Sequence, residues 1–332
     1  MTRPPESRSS ILQLLKLSFG GSKTVELPLS CYGKLPLYRD FIRNALAGPE
    51  AQAFKQWLDR GFSRHWEAQD ACREYRFGSH ALVLTFPGTG RTVLAYVWGS
   101  ADNEGLRRFP FAFFVSVPAS RGSGPGPALD AAAQFARRAQ GWQDDLDVFR
   151  DVETLLHAVR DRRVSLTLVD EESALERLRE GLGGVTVREF AESLYGAAAP
   201  RLFPALLDWL RRLGGHGQDL PVAARLPGSP LLPAVHQAGL WAGLLRDERG
   251  RRPTPCNLLV PLQGDAGVGP VILGRDLRPE DVLVFHPEMP GYELAEDLRR
   301  TVPGPPGTDS TWLAENGGEP VSWLLGGDAR HA

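Results

Sequence analysis

The segment CYGKLPLYRDFIR, from Cys31 to Arg43, sets charges of both signs beside a glycine, a proline and aromatic residues. Lys34, Arg39 and Asp40 supply the charges, and Tyr32, Leu35 and Phe41 the apolar surface. Gly33 permits a close backbone approach and Pro36 stiffens the turn that follows. A second stretch of the same character, SADNEGLRRFPFAF, brings Asp102, Gly105, Arg107, Arg108 and the Phe109-Pro110 step. A charged rim around aromatic anchors suits recognition of another protein. The expectation is that both loops lie together at one end of a sheet. Asp40 then pairs with an arginine and holds Arg107 or Arg108 toward a partner. The alternative is an ordinary solvated ion pair, contributing about 0–1 kcal/mol. Gly33, Pro36, Phe41 and Pro110 read as fold glue, with Phe41 and Ile42 buried beside the sheet.

Patterns for catalysis are missing from the sequence. There is no GxSxG elbow. QGDAGVGP, Gln263 to Pro270, lacks the Gly-Lys-Ser/Thr of a phosphate loop and reads as a strand connector. The seven histidines are dispersed without an HxxxH pair, and Cys31, Cys72 and Cys256 form no CxxC. The reading is therefore a protein-binding chain with no catalytic residue, cofactor or metal. The rival reading is a hydrolase with its site in the C-terminal half, where His236, Cys256, Asp265 and His286 would carry the chemistry.

The 332 residues carry a formal net charge of −2, which argues against a nucleic-acid partner. The apolar stretch Ile11 to Leu17 is interrupted by Lys16 and is too short to span a bilayer. No membrane insertion and a cytoplasmic location are expected.

These loops need elements to hold them. Phe54, Trp57, Leu58, Phe62 and Trp66 recur at spacings of three and four, so 49–67 reads as a helix. His80–Phe86, Thr92–Trp98 and Phe111–Val117 read as strands, the first two a hairpin around PGTGR. Both alternating sets of side chains are apolar, so the sheet needs cover on both faces. Further helices are expected at 130–142, 147–159, 173–182, 187–195 and around Leu202, Leu206, Trp209, Leu210 and Leu213, with a strand at 164–169. Residues 214–233 read as irregular. Gln237–Leu245, Asn257–Leu262 and Val282–Phe285 read as strands, and 292–300 as helix-like. The chain divides into a flexible lead (1–28), an α/β domain (29–215), an extension or small second lobe (216–302) and a loose tail (303–332).

Tyr32, Gly33, Lys34, Leu35, Pro36, Asp40 and Phe41 together resemble the opening motif of the TagF family, accessory proteins of bacterial type VI secretion. The following helix with Trp57-Leu58, the hairpin, and the loop bearing Asp102, Gly105, Arg107, Arg108, Phe109 and Pro110 fit the same family. The match is strongest over about residues 30–120. Leu37-Tyr38-Arg39 departs from the family's usual Ser-Arg-Gly-like stretch. The resemblance implies a profilin- or longin-like layered α/β sandwich, with a mainly antiparallel central sheet flanked by helices and a C-terminal extension. It also implies a cytoplasmic, non-enzymatic regulator or adaptor that acts post-translationally by binding protein, with a forkhead-associated scaffold as a candidate partner. A structural component of the secretion baseplate is the alternative within the same machinery.

Overall fold

The computed structural model describes residues 22–119, 126–215, 223–245, 256–262, 268–289, 295–299 and 311–325. The chain folds as layered α/β, with a large, mainly antiparallel sheet between helices. Nine strands run in the order β11-β8-β10-β9-β4-β5-β6-β2-β3. They are β2 (Ser30–Gly33), β3 (Ile42–Asn44), β4 (His80–Thr85), β5 (Arg91–Trp98), β6 (Phe111–Pro118), β8 (Ala223–Pro227), β9 (Asn257–Pro261), β10 (Val268–Leu273) and β11 (Ala295–Asp297). Among the described residues only the β8–β11 pair is parallel. A separate two-stranded sheet joins β1 (Lys23–Pro28) to β7 (Arg163–Leu168) antiparallel.

Alternation along the central strands builds two cores. Ala81, Val83, Leu94, Tyr96, Phe111 and Phe113 point to one face. Leu82, Leu84, Val93, Ala95, Ala112 and Phe114 point to the other. The first face is covered by α3 (Gly126–Asp144), α4 (Val152–Asp161), α5 (Glu171–Gly181), α6 (Val187–Tyr195), α7 (Ala199–Gly215) and α8 (Ala234–Leu244). The second is covered by α1 (Pro49–Gly61), α2 (Asp70–Arg73) and a 3-10 helix at Pro279–Phe285. α1 opens with Pro49 and carries Glu50 in its first turn, where proline is tolerated and the helix dipole favours an acid. It runs on into a π-helical turn, Phe62–Trp66, which places both Phe62 and Trp66 in the core.

Several expectations are corrected. Lys23–Pro28 is a strand, so the reading of 1–28 as a flexible lead fails over those residues; residues 1–21, with the Ile11–Leu17 stretch, lie outside the described residues. Ala223–Pro227 is a buried strand within the stretch read as irregular. Residues 234–244 form a helix rather than a strand, because AVHQAGLWAGL packs almost all round and has no polar face to reveal its period. Val282–Phe285 lies in the 3-10 helix, an apolar run buried without a strand neighbour. Ala295–Asp297 is a strand where a helix was expected. Val148 falls on a 3-10 turn before α4 and is 77% exposed, outside the predicted stripe. In the tail read as loose, α9 (Trp312–Asn316) and a 3-10 turn (Val321–Leu325) send Leu313, Val321 and Leu324 into the first core. Finally, β9 hydrogen-bonds to β4, so the C-terminal third continues the sheet of the N-terminal part.

Candidate functional site

Both singled-out loops lie at the β2–β3 end of the sheet. Gly33 ends β2 with φ +139°, and a Cβ there would stand 2.0 Å from the Pro110 carbonyl oxygen. Only glycine lets the two segments approach this closely. The Lys34 N–H donates to that same oxygen at 3.3 Å, and the Asn103 N–H donates to the Tyr38 carbonyl at 3.3 Å.

The second loop folds on itself because Asp102 opens a turn closed by Gly105 at φ +70°. The Gly105 N–H donates to the Asp102 carbonyl at 3.0 Å. Asp at the first position and Gly at the fourth is a favoured turn pattern. The Asp102 carboxylate accepts from the Leu106 N–H at 3.1 Å, the Arg107 N–H at 3.3 Å and Arg107 Nε at 2.8 Å. Lys34 Nζ stands 3.6 Å away. Burial alone would raise this carboxyl, but the hydrogen bonds from Arg107 and Leu106 and the Lys34 charge hold it below its usual range.

Lys34 is the hub. It is only 2% exposed, so the expectation that it serves as a surface contact is corrected. Its ammonium donates to the Arg39 carbonyl at 3.0 Å and lies 4.8 Å from the Phe41 ring centre. Arg107 crosses between the loops and donates to the Arg39 carbonyl at 2.8 Å. Arg108 donates to the Arg73 carbonyl at 3.2 Å. Asp40 is exposed and makes no ion pair among the described residues, so its predicted pairing with an arginine is corrected. Asp102 has that role. The Asp-x-x-Gly turn spacing was the available signal; sequence reasoning instead chose the acid inside the first motif.

Phe41 is also corrected: it is 39% exposed. It stacks on Tyr32 at 5.4 Å between ring centres and meets Phe109 edge-on at 4.8 Å. Tyr32 is buried, and its hydroxyl donates to Asp59. Ile42 is buried as expected, Leu35, Trp57 and Phe109 are buried too, and Pro36 is exposed. Tyr38, Phe41 and Leu106, all exposed apolar side chains, belong to these two loops. Around them Arg39, Arg43, Arg107 and Arg108 are exposed, against the exposed acids Asp40 and Glu104. The surface is an aromatic and aliphatic patch with a cationic surplus.

The residues of the hydrolase reading do not assemble in this way. His236, on α8, packs on the first face of the sheet, and His286 packs against Trp66 and Tyr75 on the second. Cys256 is half-buried at the start of β9, against the first core. Asp265 lies outside the described residues. Among those residues no three His, Cys, Asp or Glu side chains come together as a metal site, and no helix is long and apolar enough to cross a membrane.

Residues 30–162 match the TagF N-terminal domain, a family described as type VI secretion system-associated. The motif from Tyr32 to Phe41 lies inside the matched stretch. Among solved structures, PA0076 from Pseudomonas aeruginosa PAO1 is 21% identical, over 40% of this chain and 61% of its own, with a TM-score of 0.33. A search of curated proteins returned no match.

Proposed function

We propose that this chain is a non-enzymatic, cytoplasmic regulator or adaptor of type VI secretion that works by gripping another protein through the two-loop edge. The observation that carries this reading is the exposed trio Tyr38, Phe41 and Leu106 within a ring of arginines, on loops fixed by buried Lys34 and Asp102. Exposed apolar groups held rigidly beside charge are what a recognition surface needs. Rigid loops lose little freedom on binding, which favours affinity. The cationic surplus favours an acidic face on the partner and steers its approach. A forkhead-associated scaffold of the secretion machinery is the partner in this reading.

Arg39 tests it directly, because its side chain makes no hydrogen bond or ion pair among the described residues, while its carbonyl, which holds Lys34 and Arg107, stays in any variant. The double variant Arg39→Glu, Phe41→Ala should fold normally and lose at least about tenfold in recovery of partners from the native host, as loss of one anchor implies. Its overproduction should no longer alter secretion. Unchanged recovery of every partner would remove this surface from consideration.

A further inference from the structure

A second site lies among the helices that cover the first face of the sheet. α3, α5 and α8 meet around a cavity of about 70 Å³. That is several times the space one water needs, and it suits one small branched apolar group. Its apolar walls include Leu129, Ala133, Ala174, Leu178 and Val235, and Glu171 also lines it. Beside the cavity lies a broad open basin of about 570 Å³ lined by Arg137, Arg138 and Arg177. Asp130, Arg177 and His236 line both, so the two spaces are neighbours.

Two acids, Asp130 and Glu171, face three arginines, Arg137, Arg138 and Arg177, around the cavity and basin. Asp130 is already engaged, accepting from Arg177 at 3.0 Å and from Gln134 at 2.9 Å. Arg138 donates to the Gln134 carbonyl at 3.0 Å, and neither it nor Arg137 has an ion pair among the described residues. Both are exposed. His236 lies against Gly181, where a side chain on residue 181 would strike the ring. Its Nδ1 is buried without a hydrogen-bond partner.

We propose that this pocket binds the free C-terminus of a protein segment ending in a leucine-sized residue. The terminal side chain fills the apolar cavity, and the terminal carboxylate meets Arg137 and Arg138. The basin is far larger than a carboxylate requires, which leaves room for a polypeptide to depart. A fork of guanidinium donors matches a carboxylate in shape as well as charge.

The test is fluorescence anisotropy on the full chain with a dye-labelled hexapeptide ending in Leu. The free acid should bind, and the C-terminal amide or an Ala-ended peptide should bind at least about tenfold more weakly. Arg137→Ala, Arg138→Ala alters only exposed side chains; it should weaken binding and flatten its dependence on salt. Ala133→Leu should block the cavity, with thermal melting reporting that the fold persists. Absence of binding at millimolar peptide, or equal binding of acid and amide, overturns the proposal. So does 4-methylpentanoate binding as tightly as the peptide, which would assign the site to a small acid. None of these variants touches the two-loop edge, so failure here leaves the partner-binding reading standing.

Discussion

Gly33 cannot be replaced cheaply. At φ +139°, with the Pro110 carbonyl 2.0 Å from any added Cβ, Gly33→Ala should cost about 2 kcal/mol or more in urea unfolding. Asp102 gives a pH signature. Its folded carboxyl titrates below the usual 3.8. Its stabilisation is therefore complete above the unfolded value of about 3.9 and is lost as pH falls through the folded value. The melting-temperature advantage of wild type over Asp102→Asn should narrow below about pH 4. His80 acts at higher pH. Burial between Phe77 and Phe285 pushes its imidazole down to about 4 from 6.5. The unfolded chain then binds the extra proton, so stability falls as pH drops from 6.5 toward 4. His80→Gln should flatten that slope in acid titrations followed by circular dichroism. At this scale, residue types were readable and pairings were not. Asp40 and Asp102 are alike as residue types, and the one local mark that separates them is the glycine three residues after Asp102, whose turn sends that acid inward.

Among the elements, α1 is joined to the 3-10 helix at 279–285 by one directional bond. Trp57 Nε1 donates to the Arg278 carbonyl at 2.9 Å. Trp57→Phe keeps most of the apolar area and removes the donor, so a loss of about 1–2 kcal/mol in urea denaturation is expected. The far end of that helix is fastened by Arg225, only 1% exposed, which donates to the carbonyls of Val284, His286 and Pro287. These are the orphan acceptors that a helix end leaves behind. Legibility followed periodicity. α1 shows apolar residues at spacings of three and four, and strands β4 to β6 are apolar runs between clear turns, so their positions could be read directly. α8 is apolar on every side and β8 is buried along its whole length, so neither presents a phase. The π turn after Gly61 was hidden because Phe62 and Trp66 keep the helical spacing.

For the whole molecule, the matched stretch 30–162 is not a separable body. β4 has β5 on one side and β9 on the other, and β7, partner of β1, begins at Arg163. A fragment cut at residue 162 would expose a bare, two-sided apolar strand edge. It should elute from size exclusion as aggregate, whereas the full chain should not. A chain ending at residue 303 would lose Leu313, Val321 and Leu324 from the first core and should melt far lower. The reach of the sheet across the sequence was not legible, since strand partners separated by long stretches leave no local mark.

Asn257, at the head of β9, receives the Thr85 N–H from 172 positions upstream. A ribosome adding about 5–20 residues per second needs roughly ten seconds or more to deliver it. Through that interval the nascent β4 waits with its ladder half-made. The cell must shield it from neighbouring polypeptides, so yield in the host should depend on chaperone supply more steeply than the finished protein's resistance to heat would suggest.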